Sequence, residues 1–280
     1  MPSLERSWFF AHLAVPADGH PDARMAELLA TVVAGLVAAV RRADPPADWF
    51  FDPIIGPAGS RLRLGFHATR AGLDEVRRRL SVADRRSALD IDPYVVRDAA
   101  RGGALAQAGS DVALALLGGG VPWLAGVELP LTVAHLRHLT GLVPAADQPA
   151  FLFLHWQDRS RLLTGARRRD LAARADAGAE KIVLTAGDLP LTAEIAAAWR
   201  RYLTRVADVA GRDQPTGATP RGFLLAHHAQ LTHERWGISP DVDALAALAL
   251  RLTMVRARPG ATAPVPVSQR RQQPYAADPQ

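Results

Sequence analysis

The chain has 280 residues, 49% of them hydrophobic, with 33 basic against 28 acidic side chains and no cysteine. Hydrophobic content of that order can fill a core, and the lack of cysteine excludes disulfides, thiolate catalysis and cysteine-bound zinc. The surplus of +5, carried almost wholly by arginine (Lys181 is the one lysine), suits an acidic peptide or ligand. It lacks the concentrated basic stripe of a nucleic-acid binder. The first eight residues, Met1 to Trp8, show no basic region leading into an apolar core, so they do not read as a signal peptide. The apolar stretch from Leu28 to Val40 ends at Arg41-Arg42, short of the roughly 20 residues a membrane span needs. A cytoplasmic protein without a membrane partner is expected.

Ser7 to Val15 reads as an aromatic-rich strand closed by Pro16 and the Asp18-Gly19 turn. Asp22 to Arg42 reads as a long helix with Pro21 near its start and two arginines in its last turn, where cations suit the dipole. Trp49 to Ala68 reads as a hairpin around Gly56-Pro57-Ala58-Gly59. In its second arm Leu62, Leu64 and Phe66 alternate with Arg61, Arg63 and Gly65, the period of a half-buried strand. Arg61 and Arg63 therefore share the face away from the leucines, about 7 Å apart by strand rise, and two guanidiniums on a rigid sheet suit a carboxylate or phosphate. Ala71 to Leu80 is a short helix in which Glu75 precedes Arg79 by one turn. This β-α-β-β-α order builds a sheet with helices laid on it.

Asp90 to Gly103 reads as a connector, and Ala104 to Leu117 as a helix stopped by Gly118-Gly119-Gly120. Helices follow over Leu129 to Leu142, Gln148 to Thr164, Leu191 to Val209 and Gly222 to Trp236. A last helix, capped by Ser239-Pro240, runs to about Met254. Arg167 to Asp170 is a charge run of the kind found on a solvated helix face, and 212–220 is a loop. The expected class is α+β: an N-terminal sheet portion packed with a mostly helical C-terminal half. One domain over 1–258 is expected, with a flexible tail over 259–280 rich in Pro, Gln and Ala.

The glycine triplet lacks the Gly-Lys-Ser/Thr of a phosphate loop. Nine histidines invite a metal, with His135 and His138 as one group and His227, His228 and His233 as another, but no His-Glu-x-x-His pattern is present. No Gly-x-Ser-x-Gly elbow marks a serine hydrolase. Neither a metal nor an organic cofactor is expected.

Four stretches taken in order carry a resemblance: Trp8-Phe9-Phe10-Ala11-His12-Leu13, the Trp49-Phe50-Phe51 and Arg61-Leu62-Arg63 hairpin, Asp92-Pro93-Tyr94 to Gly102-Gly103, and His227-His228-Ala229-Gln230-Leu231 to Arg235-Trp236-Gly237-Ile238. The set is similar to the stand-alone elimination domain of class I lantibiotic dehydratases, the thiopeptide-type bacteriocin biosynthesis group, over about residues 7 to 254. Members of that group remove glutamate from glutamylated Ser or Thr of a ribosomally made peptide. The resemblance places Arg61 and Arg63 beside the departing glutamate.

The departures from the pattern matter. The family connector runs Tyr-Glu-Pro-Glu, then an aromatic and Gly-Gly. Here it is Tyr94-Val95-Val96-Arg97, then Arg101-Gly102-Gly103. A carboxylate replaced by a cation cannot take a proton. In the late helix Glu234-Arg235 stands for the family's Asn-Arg, and Gln230 sits near its histidine. Pyridine synthases of thiopeptide biosynthesis keep this fold without the elimination set. They join two dehydroalanines by a formal [4+2] cycloaddition, with loss of water and leader peptide.

The resemblance therefore implies a pyridine synthase working by positioning. Tyr94, His227 or His228 would act as proton donors. Arg61, Arg63 and Arg97, with Gln230 and Trp236, would hold the substrate. The implied partner is a modified precursor peptide with its leader, alongside other enzymes of the same pathway. Glutamate elimination and a non-catalytic leader-binding scaffold are the alternatives. His227 and His228, being adjacent, point about 100° apart on a helix, so at most one faces a given pocket.

Overall fold

Three antiparallel strands, β1 (Arg6–Ala14), β2 (Asp48–Gly56) and β3 (Gly59–Thr69), form the sheet in the order β1-β3-β2. The computed structural model describes residues 5–15, 21–56, 59–83, 95–118, 126–187, 189–211 and 220–257. The hairpin register sets Asp52 opposite Arg63 and Phe51 opposite Leu64. On the far side His12 of β1 pairs with Arg63. Alternation sorts the residues as the pattern predicts: Leu62, Leu64 and Phe66 are fully buried, whereas Arg61 is exposed and Arg63 half-buried.

Between β1 and β2 the chain climbs α1 (Pro21–Leu28), a π-helical turn (Leu29–Val33) and α2 (Ala34–Ala43), at the place expected for one long helix. α3 (Arg70–Ala83) follows the hairpin. The anticipated Glu75–Arg79 pair forms at 2.7 Å, and Arg78 joins it. These two guanidiniums draw the Glu75 carboxyl down to about 2.

α4 (Val95–Gly118) corrects the expected connector. Its helix begins at Val95, so Val95 to Gly103 is helical rather than loop. Alanines dominate the stretch after Arg97, and alanine has the highest helix propensity, which offsets the pair Gly102-Gly103. Tyr94 lies outside the described residues, as do the 212–219 loop and the tail beyond 257.

The helical half comprises α5 (Glu128–Gly141), α6 (Gln148–Ser160), α7 (Gly165–Leu184), α8 (Ala193–Gly211), α9 (Arg221–Arg235) and α10 (Pro240–Arg256). α6 stops at Ser160, four residues before the expected end, because Thr164 is the cap of α7. Its side chain accepts the Arg167 N–H. α7 itself was signalled only by its charge run.

α9 ends in a paired C-terminal cap. Ile238 N–H donates to His233 O and Gly237 N–H to Glu234 O, with Gly237 at φ 74°. This turn needs a residue that tolerates positive φ, and from it α10 runs off to pack on α5, α6 and α7. One hydrophobic cluster runs through the sheet, α2 to α6, α8, α9 and α10. Among the described residues no helix is long and apolar enough to cross a membrane.

Candidate functional site

The outer backbone edge of β2 is closed by side chains from α4 and α9. Phe51 N–H donates to Ser110 Oγ at 3.1 Å, and Phe51 O accepts from Arg235 Nε at 2.7 Å. One residue on, Asp111 takes the Trp49 indole N–H at 2.8 Å and the Arg41 guanidinium at 2.9 Å. Two helices are thereby tied to one strand, and an open sheet edge is covered. Residue 109 at this crossing is glycine. A Cβ there would stand 3.2 Å from both Arg235 Nη1 and Thr232 Oγ1, so the α4–α9 approach depends on its absence.

Arg235 also reaches the sheet arginines. Its Nη2 donates to Asp52 Oδ1 at 2.7 Å, and Arg63 Nη2 donates to Asp52 Oδ2 at 2.6 Å. The pair read from sequence thus divides. Arg63 is held by a carboxylate from the neighbouring strand, and Arg61 alone of the two stays exposed. One carboxylate between two guanidiniums leaves a net positive charge. Arg235 Nη1 and Arg63 Nε are buried donors without a hydrogen-bond partner among the described residues.

Behind Arg235 lies a buried polar chain. Tyr202 Oη is 2.8 Å from His228 Nε2 and 2.6 Å from His135 Nε2. His135 Nδ1 is 2.8 Å from His233 Nε2. His233 Nδ1 lies 2.9 Å from Asp243 Oδ1, and His155 Nε2 lies 2.7 Å from the same oxygen. Arg159 Nε is 3.0 Å from Asp243 Oδ2. The His233 and Arg159 contacts are close but too bent to count as hydrogen bonds, so they hold by charge.

Burial raises the Asp243 carboxyl, but His233 and His155 outweigh it and keep the group ionised far below the usual carboxylate range. Burial lowers His228, with Arg235 adding to the effect, to about 3. Burial and the neighbouring His233 and His228 hold His135 well below its ordinary value. Burial raises the Tyr202 hydroxyl. Both imidazoles and the phenol are therefore neutral at pH 7.

His155, His233 and Asp243 present three ligand-type atoms within 4.8 Å of one another. Their types suit zinc. The Arg159 guanidinium already occupies the carboxylate, however, and a bound cation would have to displace it.

The sequence-derived residues fare unequally. His228 turns inward at 4% exposure, and His227 is exposed, as their adjacency demands. Gln230 is half-buried and donates to Glu234 Oε1 at 3.1 Å. Trp236, expected to hold substrate, is 1% exposed and packs on the rings of His135, Trp199, Tyr202 and His233. It is core, because the cap after α9 folds it under the helix. Arg97 lies in the first turn of α4. His135 and His233 meet each other in hydrogen bonding rather than as two separate ligand groups. Asp52, Tyr202, Arg235, Asp243 and Arg159 were not singled out for chemistry. Their signal was faint: His228, Thr232 and Arg235 recur at i, i+4 and i+7, one polar stripe on a helix face that is otherwise apolar.

No protein-family model matches the sequence, and no curated protein is significantly similar to it. Solved structures do match. The tRNA-dependent lantibiotic dehydratase MibB from Microbispora sp. 107891 matches over 90% of this chain at 20% identity and a TM-score of 0.61. The fold is lantibiotic dehydratase-like. This chain spans only 28% of the length of MibB. TsrL matches over 92% of this chain and 100% of its own, at 14% identity and a TM-score of 0.57. TbtD, the pyridine synthase from thiomuracin biosynthesis, matches over 90% of this chain and 99% of its own, at 18% identity and a TM-score of 0.56.

Proposed function

We propose that this lantibiotic dehydratase-like chain modifies a ribosomally made precursor peptide, and that its reaction is pyridine formation from two dehydroalanines. The observation that carries the reading is the Arg63–Asp52–Arg235 bridge, at 2.6 and 2.7 Å, joining the sheet arginines to the histidine-bearing helix. It sets unpartnered guanidinium donors beside a buried proton-handling cluster. In the reaction, one dehydroalanine and the imidic-acid tautomer of a backbone amide form the four-atom component, and the second dehydroalanine supplies the two carbons. Loss of water and of the leader amide then gives the aromatic ring. Positioning of the two alkenes supplies most of the rate. Arg61 and Arg63 would grip peptide carbonyls or acidic leader residues, with the buried Arg235 fixing Asp52 behind them. His228 and Tyr202 would move protons, and Tyr94 is kept as a candidate donor. The partner is the modified precursor peptide with its leader, together with other enzymes of that pathway.

Glutamate elimination is the second reading, favoured by the match to a lantibiotic dehydratase. Against it stands the nature of the deeply buried acid among the described residues. Asp243 is fully buried and held as an anion by His155, His233 and Arg159, far below the usual carboxylate range, which makes it a poor base.

The two part on one assay. The purified chain is incubated separately with a leader-bearing peptide holding two dehydroalanines and with a glutamylated peptide, and products are weighed by mass spectrometry. Release of a leader amide with a macrocycle lighter by leader and water is expected. Release of free glutamate with an untouched dehydroalanine peptide would establish elimination instead.

A further inference from the structure

The outer face of the sheet carries its residues in rows. Strand pairing sets Trp8 and Asp48 beside His67, and Phe10 and Phe50 beside Gly65. It then sets His12 and Asp52 beside Arg63, and Ala14 and Ile54 beside Arg61. Paired residues point to the same side of a sheet, so all four rows lie opposite the leucine core. The first two rows are filled. Trp8 stacks on His67 at 4.9 Å and on Phe10 at 5.7 Å, and Phe10 and Phe50 are buried. The Phe10 and Phe50 rings close over Gly65, where a Cβ would stand 2.6 Å from the Phe50 ring. The last row is open, with Ala14, Arg61 and Ile54 all exposed. His12 stands at the border, half-buried between the aromatic block and the open row.

Two cations flank this imidazole. Arg63 lies directly across from it, with Cβ atoms about 5 Å apart, and Arg61 lies on the diagonal at about 7–8 Å. Arg63 is turned toward β2 by its 2.6 Å bond to Asp52. His12 itself makes no hydrogen bond or ion pair with any described residue. His67, on the same face, is stacked on Trp8 and stands 3.5 Å from Asp48 Oδ2. His135, His155, His228 and His233 are buried. The accessible, unengaged imidazole beside the sheet arginines is therefore His12.

We propose that His12 is the catalytic residue that exchanges protons with the peptide while Arg61 and Arg63 hold it. The inference rests on the peptide-modifying reading above. His228 and Tyr202 are buried, so the group that meets the peptide itself is a separate one. An imidazole both takes and gives a proton near neutral pH. A peptide carbonyl or carboxylate on the two guanidiniums lies within reach of its ring. After ring closure, water and the leader amide leave in turn. In each loss a ring hydrogen departs as a proton, and its bonding pair enters the new double bond. The pair of the broken C–O or C–N bond goes with the departing atom. Neutral His12 takes the ring proton, and the resulting imidazolium gives it to the departing hydroxyl or amide nitrogen. His12 ends neutral, ready for the second loss. The charged groups on its side are Arg61 and Arg63 of β3 and, beyond Arg63, Asp52 of β2 with Arg235 of α9.

The test is turnover of a leader-bearing peptide with two dehydroalanines by the full chain. His12→Gln should lower kcat about 100-fold or more with KM held. His12→Gly should show the same loss, and added imidazole should restore a large part of it in a saturable way. An unchanged kcat in the folded His12→Gln variant, a loss carried by KM alone, or a loss that imidazole does not relieve overturns the proposal. Should the variants not fold, diethyl pyrocarbonate on the wild-type chain decides, with modified residues located by mass spectrometry. Inactivation should track acylation of His12, and saturating peptide should slow both; full activity with His12 acylated overturns the proposal. A wild-type chain inert toward this peptide but releasing glutamate from a glutamylated one defeats the pyridine reading alone. The same variants and reagent then judge His12 as the base that takes the α-proton. A wild-type chain inert toward both peptides defeats both claims.

Discussion

Acidification tests the buried histidines directly. In the fold His228 is drawn to about 3, by burial first and then by Arg235, and His135 is also held well below its ordinary value. Unfolded, each takes a proton near pH 6.5. Below that pH the unfolded state binds more protons than the native state, so stability falls as pH falls. It is fully present above about 6.5 and is lost progressively toward the folded values. Each such histidine contributes a slope of up to about 1.4 kcal/mol per pH unit. Two give up to about 3 kcal/mol between pH 6 and 5, a large share of a typical folding free energy of about 5–15 kcal/mol. Asp243 adds a loss of the same sign below about pH 4, where its unfolded carboxyl protonates and its folded one does not. Urea midpoints followed by circular dichroism from pH 8 to 5 should hold level to about 6.5 and then drop steeply. His228→Asn should lower the plateau and make the drop shallower. A midpoint that stays level down to pH 5 would refute the claim that these rings are neutral and buried.

Arg235→Ala leaves the Phe51 carbonyl and Asp52 Oδ1 without their donor, and should cost about 3–5 kcal/mol in chemical denaturation. Trp236→Ala opens the floor under His135 and Tyr202 and should cost about 3–5 kcal/mol by the same measurement. Arg61→Ala, at an exposed position, should change stability by less than about 0.5 kcal/mol while weakening binding of the dehydroalanine peptide, read by calorimetry. Zinc added in excess should leave the melting temperature unmoved, because Arg159 already sits on the Asp243 carboxylate; an upward shift would reveal a metal site.

The sheet was readable from residue order because its signals are local. Alternation over Arg61 to Phe66 sets the buried face, and Gly56 to Gly59 sets the turn. The Ser239 cap and Gly237 stop likewise announced α10 and the end of α9. The start of α4 was hidden because Gly102-Gly103 resembles a break, whereas the alanines around it favour helix. The pairing of Arg63 with Asp52 follows from hairpin register, which a count from the turn gives only once its length is known. The buried polar chain was beyond reach. Its hydrogen bonds through Tyr202 and His135 join residues 26 to 98 positions apart, and nothing local in Tyr202 or Asp243 distinguishes a buried polar residue from a surface one. Adjacency did sort His227 from His228, since a helix can bury only one of them.

The most direct measurement follows near-ultraviolet absorbance and leader release together as the chain acts on a leader-bearing peptide with two dehydroalanines. A new aromatic chromophore rising in step with one leader amide per ring is the predicted result. Leader and alkenes both persisting, while a glutamylated peptide loses glutamate in the same buffer, would contradict it.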